Sequence, residues 1–225
     1  MTDYTYTYFR VSKSEDLITS AHRYKDLRLR ALKLSPSSFA STYDLESTLP
    51  DEYWISRLTK NGRETFICAA APTVNPNQAE PEWVAQVTFL GPQSIEDFTL
   101  PLESGQPEPL SDEVEERWQM LALFTQSTHR GRGIAKALTR KALDYLVSYR
   151  NEPKNVSIRL MVKPGMMAVV KFYLQLGFNE VGSSSLAEAL IANGDRELLP
   201  NDYLLQEKYT TRNSHLMIKQ ISRDE

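Results

Sequence analysis

Cysteine is almost absent: Cys68 is the single one in 225 residues. One thiol excludes an internal disulfide and a cysteine-rich metal site. Its setting, Thr65-Phe66-Ile67-Cys68-Ala69-Ala70, reads as a strand, so Cys68 is expected to be a small buried hydrophobe and not a nucleophile. Histidine is scarce too. His22, His129 and His215 are too scattered for ligand spacing, so no metal is expected. Long hydrophobic runs are missing: nothing approaches the roughly 18 apolar residues that span a bilayer. Met1-Thr2-Asp3-Tyr4 shows no basic stretch leading into an apolar one, so no secretory signal is visible. With a lone cysteine, this favours an intracellular, cytoplasmic protein, the nucleus being left open. Neither sign of charge dominates. The formal net charge of -3 gives no overall attraction to nucleic acid, and no membrane partner is expected. What is present is ordinary globular composition, 41% hydrophobic and 24% charged, enough for one well-buried core and a single domain over 1–225.

Tyr4 to Val11 alternates aromatics with threonine and suits a first strand. Ser14 is placed to cap a helix that runs to Leu34 and stops at Ser35-Pro36. The basic residues Lys25, Arg28, Arg30 and Lys33 read as its solvated face. A second helix spans Glu52 to Leu58 with Trp54 and Leu58 on one side. Thr65–Ala70 and Trp83–Leu90 read as paired strands. The loop between them, 71–82, holds three prolines and two asparagines. The stretch 91–116 is rich in Pro, Ser and acids, and reads as a floppy insertion more than a functional flap. Trp118–Thr125 is the next strand.

Ile134, Leu138, Ala142, Tyr145 and Tyr149 form the stripe of a helix ended by Asn151 and Pro153. Val156–Val162 alternates as a strand, with Ser157, Arg159 and Met161 on the face opposite Val156, Ile158 and Leu160. Val169, Phe172, Tyr173 and Leu176 share one face of a further helix. Gly177 suits the left-handed position past its end, with Phe178 packing back. Phe178–Gly182 and His215–Ile221 are the last strands, around a part-helical insertion at 183–213. The order predicts a mixed α/β sheet, with parallel neighbours in its second half.

Between strand and helix lies Arg130-Gly131-Arg132-Gly133-Ile134-Ala135. A helix start carries unpaired N–H groups and partial positive charge. Glycines let a phosphate approach those amides. Arg130, Arg132 and Lys136 oppose the helix dipole, a conflict that a bound anion resolves. The spacing is wrong for a P-loop, and Lys136 stands where a dinucleotide fingerprint needs a small residue.

These residues resemble the Arg/Gln-x-x-Gly-x-Gly/Ala signature of the GCN5-related N-acetyltransferase (GNAT) family. Phe172-Tyr173-Leu174-Gln175-Leu176-Gly177-Phe178 looks like that family's Leu/Phe-Tyr-x-x-x-Gly-Phe segment. A weaker similarity spans Leu27 to Leu32, Pro36, Phe39 to Tyr43, Glu46 and Trp54. The resemblance implies a six- to seven-stranded mixed sheet in which two parallel strands, Trp118–Thr125 and Val156–Val162, splay apart. It implies acetyl-CoA as cosubstrate, with pantetheine on the backbone of Phe124 and Thr125. The pyrophosphate falls to Arg130, Gly131, Arg132, Gly133, Ile134 and Ala135, with charge from Lys136. Tyr173 holds the place of the family's general acid, its other reading being a core tyrosine.

The chain departs from the pattern twice. Met166 replaces an asparagine that contacts the cofactor, and Arg117 stands where some members place a glutamate base. Glu115 and Glu116 nearby read as ion-pairing surface acids, and no base is assigned. His129 is read as near phosphate or simply exposed. Phe39, Tyr43 and Trp54 are the expected acceptor wall. The acceptor is an amine, small or protein-borne, with homodimerisation left open. The alternative function is a non-catalytic acyl-CoA sensor or interaction module on the same fold.

Overall fold

The computed structural model describes residues 3–74 and 80–224. Its elements are β1 (Tyr4–Arg10), α1 (Leu17–Leu34), α2 (Tyr43–Glu46), α3 (Asp51–Thr59), β2 (Arg63–Pro72), β3 (Glu82–Leu90), α4 (Ile95–Phe98), β4 (Glu115–Thr125), α5 (Ile134–Ser148), β5 (Asn155–Val162), α6 (Met167–Gln175), β6 (Asn179–Ser185), α7 (Leu186–Ala192), α8 (Glu207–Thr210) and β7 (Arg212–Ser222). Among the described residues the strands form one seven-stranded mixed sheet, ordered β1-β2-β3-β4-β5-β7-β6 and flanked by helices. This is the fold class expected from the sequence. Residues 75–79 of the 71–82 loop lie outside the described residues. The chain divides into two compact units. One takes residues up to Phe89 with Ala122–Tyr145; the other takes Leu90–Leu121 with the residues from Leu146 on.

In the first unit β1 runs antiparallel to β2, from Tyr4 opposite Pro72 to Arg10 opposite Phe66. Tyr24, Leu27 and Ala31 recur at helical spacing and turn one face of α1 into the core, where they meet Trp54 and Leu58 of α3 and Ile67 and Ala69 of β2. Each large side chain there contributes about 1.5–3 kcal/mol by leaving water. Cys68 is fully buried, as expected, and burial pushes its thiol up to about 11.

Two expectations for α1 change. The helix starts at Leu17 instead of near Ser14, because the Ser12 hydroxyl accepts from the Ser14 and Glu15 amides and holds those residues in a turn. Arg28 does not belong to the solvated face. Its guanidinium makes a buried two-point pair with Glu46 of α2, Nε to Oε2 at 2.9 Å and Nη2 to Oε1 at 2.6 Å.

In the second unit β4 and β5 run parallel, paired from Glu115 opposite Asn155 to Gln119 opposite Arg159. β5 also pairs antiparallel with β7 over its whole length, Asn155 opposite Ser222 to Val162 opposite His215. β6 closes the edge on β7. β4 runs on to Thr125, and β5 to Val162.

The stretch 91–116, read as a floppy insertion, carries short elements of its own. It forms α4, a tight turn at Leu102–Ser104, and the first residues of β4, with Phe98 and Ser104 buried. The helix α5 ends at Ser148, earlier than Asn151. Tyr149 leaves the helical stripe and sets its ring edge to face on Trp118, 5.1 Å between centroids.

Candidate functional site

The glycine turn lies in the first unit. β4 leaves its extended path at Ala122, where φ is 57°. That left-handed geometry costs a residue with a side chain about 1–3 kcal/mol and is typical of a strand re-aimed near a site. The Gln126 amide donates to the Val84 carbonyl at 2.8 Å, and its side chain donates to the Trp83 carbonyl at 3.1 Å, so the strand end is anchored to β3. A short turn, Ser127–His129, leads to Arg130.

Gly131 and Gly133 both have φ of 76°, a conformation that favours glycine. A Cβ built on either would meet nothing within 4 Å, so the turn faces open space. The Ala137 N–H closes on the Gly133 carbonyl at 3.0 Å. The amides of Ile134, Ala135 and Lys136 precede that first helical bond and are left for an outside acceptor. Ile134 is buried and fixes the helix start on the core, while Arg132 and Lys136 are exposed beside the free amides.

Arg130 behaves differently from its two basic neighbours. Its Nε donates to the Thr125 carbonyl at 2.9 Å and its Nη2 to the Ser35 hydroxyl at 3.3 Å. It folds back over Phe124, with 5.9 Å from guanidinium carbon to ring centroid, and braces the strand end. Phe124 and Thr125 are buried at that end, and the Thr125 hydroxyl has no partner among the described residues.

His129 is buried, contrary to a reading as an exposed residue. Its Nδ1 lies 3.0 Å from the Tyr6 hydroxyl, and Tyr4 and Tyr6 set their rings edge to face with it. Burial holds its pKa below the usual imidazole value, with Arg132 acting in the same direction. A neutral histidine adds no charge to the turn. Trp54 also changes role. It is fully buried against Tyr24 and Tyr53, a core residue and not a wall. Phe39 is buried beside Phe124, 6.2 Å between centroids, and Tyr43 is half-buried.

Tyr173 lies in the second unit, on α6. A complete helix-end motif holds it. The Gly177 N–H donates to the Leu174 carbonyl and the Phe178 N–H to the Tyr173 carbonyl, both at 3.0 Å, with Gly177 at φ 83°. The Phe172 and Phe178 rings stand 5.2 and 5.5 Å from the Tyr173 ring. Burial pushes the phenol well above its usual value, so it keeps its proton at neutral pH. Its hydroxyl makes no hydrogen bond among the described residues. Met166, in the place of the family's asparagine, precedes α6 and gives it no side-chain cap.

Glu115 and Glu116 are buried, not surface acids. Glu116 takes Arg223 at 2.8 Å, Arg150, and the Trp118 indole N–H, which leaves it no free role. Glu115 accepts from Gln220 at 3.2 Å, and burial holds its pKa above the ordinary carboxylate value. It sits roughly 13 Å along β4 before Gln119, at the paired end of the strand. Among the described residues no group of His, Cys, Asp or Glu is arranged to hold a metal, and no helix is long and apolar enough to cross a membrane.

The sheet and its parallel pair define a GNAT-like fold. Residues 101–178 match the profile described as "Acetyltransferase (GNAT) family", a stretch that contains the glycine turn and Tyr173. That stretch is therefore similar to the GNAT family model, as its motifs led us to expect. No curated protein sequence matches the chain significantly. Solved structures do match. One is Arabidopsis thaliana NAA60 in complex with a bisubstrate analogue, at 18% identity and TM-score 0.56, covering 97% of this chain and 100% of that one. A GNAT-family acetyltransferase from Streptococcus pneumoniae matches at 13% identity and TM-score 0.57, with coverage of 97% and 100%. Spermidine N-acetyltransferase from Vibrio cholerae, in complex with CoA and spermine, matches at 14% identity and TM-score 0.50, covering 97% and 96%.

Proposed function

We propose that this protein is an acetyl-CoA-dependent N-acetyltransferase acting on a primary amine, with residues 1–225 serving as one catalytic domain. The observation that carries this reading is the turn at Gly131–Gly133. It leaves free helix-start amides facing open space, flanked by the exposed cations Arg132 and Lys136. A pyrophosphate fits that chemistry. The ligands of the similar structures point the same way: acetyl-CoA in a second Arabidopsis thaliana NAA60 complex, and CoA in the spermidine acetyltransferase.

Acetyl-CoA supplies an activated acetyl thioester. In this reading the amides of 131–136 hold its pyrophosphate, with Lys136 and Arg132 adding charge. The backbone of Phe124 and Thr125 accompanies the pantetheine arm, and Arg130 keeps that strand end in place through the Thr125 carbonyl. An amine nitrogen attacks the thioester carbon, the carbon–sulfur bond breaks, and the sulfur leaves as thiolate. Tyr173 gives its proton to that sulfur. Burial keeps the phenol protonated when the thiolate departs, while making it a weaker acid than a free phenol. The amine proton passes to solvent, and solvent returns a proton to Tyr173. The products are an N-acetyl amine and free CoA.

Release of free thiol from acetyl-CoA, measured across a panel of small amines and peptide N-termini, tests the reading. We expect release that depends on the amine and falls sharply in Tyr173→Phe. Binding of acetyl-CoA without thiol release from any amine would instead support a non-catalytic acyl-CoA sensor.

A further inference from the structure

The two strands at the ends of the sheet order, β6 and β1, differ in one respect. The pairing of β6 with β7 slips twice, between Glu180 and Gly182 and between Ser184 and Ser185. The turn at Leu102–Ser104 also packs on β6, so closely that a Cβ on Gly182 would collide with the Ser104 carbonyl. Such irregularities are an ordinary means of keeping an edge strand from recruiting another strand. β1 has none of them. Its register with β2 is unbroken from Tyr4 to Arg10, and Tyr4 to Phe9 holds no proline and no charge.

The bonds flanking β1 fix which way its backbone groups point. The Val11 N–H donates to the Thr65 carbonyl and the Thr73 N–H to the Asp3 carbonyl, both at 2.9 Å. Asp3 and Val11 thus belong with Thr5, Thr7 and Phe9 to the set that bonds β2. The N–H and C=O groups of Tyr4, Tyr6, Tyr8 and Arg10 point the other way, off the edge. Among the described residues none of those outward groups has a hydrogen-bond partner. Four outward residues, each with a donor and an acceptor, make a template for another strand.

We propose that β1 is the docking edge for a second copy of this chain, the two β1 strands pairing antiparallel about a two-fold axis at Thr7. The strand complements itself in that register. Tyr4 falls opposite Arg10 of the second copy and Tyr6 opposite Tyr8, so all four outward residues of each strand meet outward residues. Thr7 meets Thr7, and Thr5 meets Phe9. The facing pairs join a cation to an aromatic ring, aromatic to aromatic and threonine to threonine, each a favourable cross-strand pair, and no like charges oppose each other. A shift by two residues leaves an outward residue unpaired on each strand. The same surface serves both copies, as a closed two-fold dimer requires. The proposal stands apart from the acetyltransferase reading and does not need it.

Sedimentation velocity on the full chain tests it. Wild type should sediment at twice the chain mass, with a dimer that dissociates in about the micromolar range. Thr7 is exposed, so replacing it leaves the packing of the single chain intact. Thr7→Lys sets two like charges face to face at the axis, and Thr7→Glu does the same. Each should be a folded monomer with the wild-type far-ultraviolet spectrum. Mixed in equal amounts, the two variants should form a dimer again. The register has its own readout. Thr7→Cys brings two thiols onto a facing pair with Cα atoms about 4.5 Å apart, within disulfide range, and should cross-link under mild oxidation. Thr5→Cys should not, because its two thiols lie about 14 Å apart along the strands. Cys68 is buried and does not compete. A wild type that stays monomeric at every concentration up to about 1 mM would overturn the proposal. So would a dimer that Thr7→Lys leaves intact, or cross-linking of Thr5→Cys as fast as that of Thr7→Cys.

Discussion

The backbone N–H of Phe178 donates to the Tyr173 carbonyl at 3.0 Å, and their rings meet edge to face at 5.5 Å. One residue thereby ties down both the backbone and the ring of the proposed proton donor. Tyr173→Phe keeps the ring contacts and removes only the hydroxyl. It should leave acetyl-CoA affinity unchanged and lower turnover by roughly 100-fold, the low end for a general acid. The raised phenol pKa also predicts the pH behaviour. The donor form persists through the neutral and mildly alkaline range, so Tyr173 should impose no loss of turnover below pH 9. The same shift has a consequence for stability. A folded pKa above the unfolded value of 10.0 favours the protonated fold. The stabilisation is complete below about pH 10 and is lost as pH rises beyond it. Denaturant titrations of wild type and Tyr173→Phe at pH 8 and above 10 should show this extra alkaline loss in wild type alone.

Gly133→Ala tests the turn. Its φ of 76° makes any side chain strained, by about 1 kcal/mol, and the added methyl group projects into the open space proposed for phosphate. Acetyl-CoA affinity should fall by more than tenfold, with only a modest drop in melting temperature. Lys136→Gln should do less. An exposed charge contributes up to about 1 kcal/mol, so the loss should stay within about fivefold and shrink as salt is raised. Calorimetry at two salt concentrations reads both.

The buried pair Arg28–Glu46 predicts strong non-additivity. Removing one partner strands the other as an unpaired buried charge, at a cost of roughly 3–5 kcal/mol. Arg28→Met or Glu46→Gln alone should each lower the denaturation midpoint strongly. The double variant should recover a large part of the loss. Additive losses would mean that the two side chains act separately.

Cys68 should resist thiol reagents in the folded protein. Its thiol is buried, and its pKa of about 11 leaves almost no thiolate at pH 8. Labelling should be complete in denaturant and negligible without it. Rapid labelling of the native protein would contradict the packing of β2.

Local signals carried much of this fold into the sequence. The alternation of β5, the glycine past α6 with Phe178 behind it, and the two glycines of the turn are each set by neighbours a few residues away. What was hidden depends on distant partners. Glu115 and Glu116 look like loop charges until Gln220 and Arg223, about a hundred residues on, supply what they need inside a strand. Arg28 looks solvated until Glu46 arrives from a separate helix. Arg159 was legible only as a strand position. Its burial and its neutral acceptors depend on Phe98, Gln106 and Gln119, which no spacing rule joins.

The most direct test of the account is a thermal-shift comparison of acetyl-CoA, NAD and ATP, each at the same concentration. A ligand at 100 times its Kd adds about 2.7 kcal/mol to stability, enough to raise the melting temperature by several degrees. The account predicts such a shift with acetyl-CoA and little or none with NAD or ATP. No stabilisation by acetyl-CoA would contradict it.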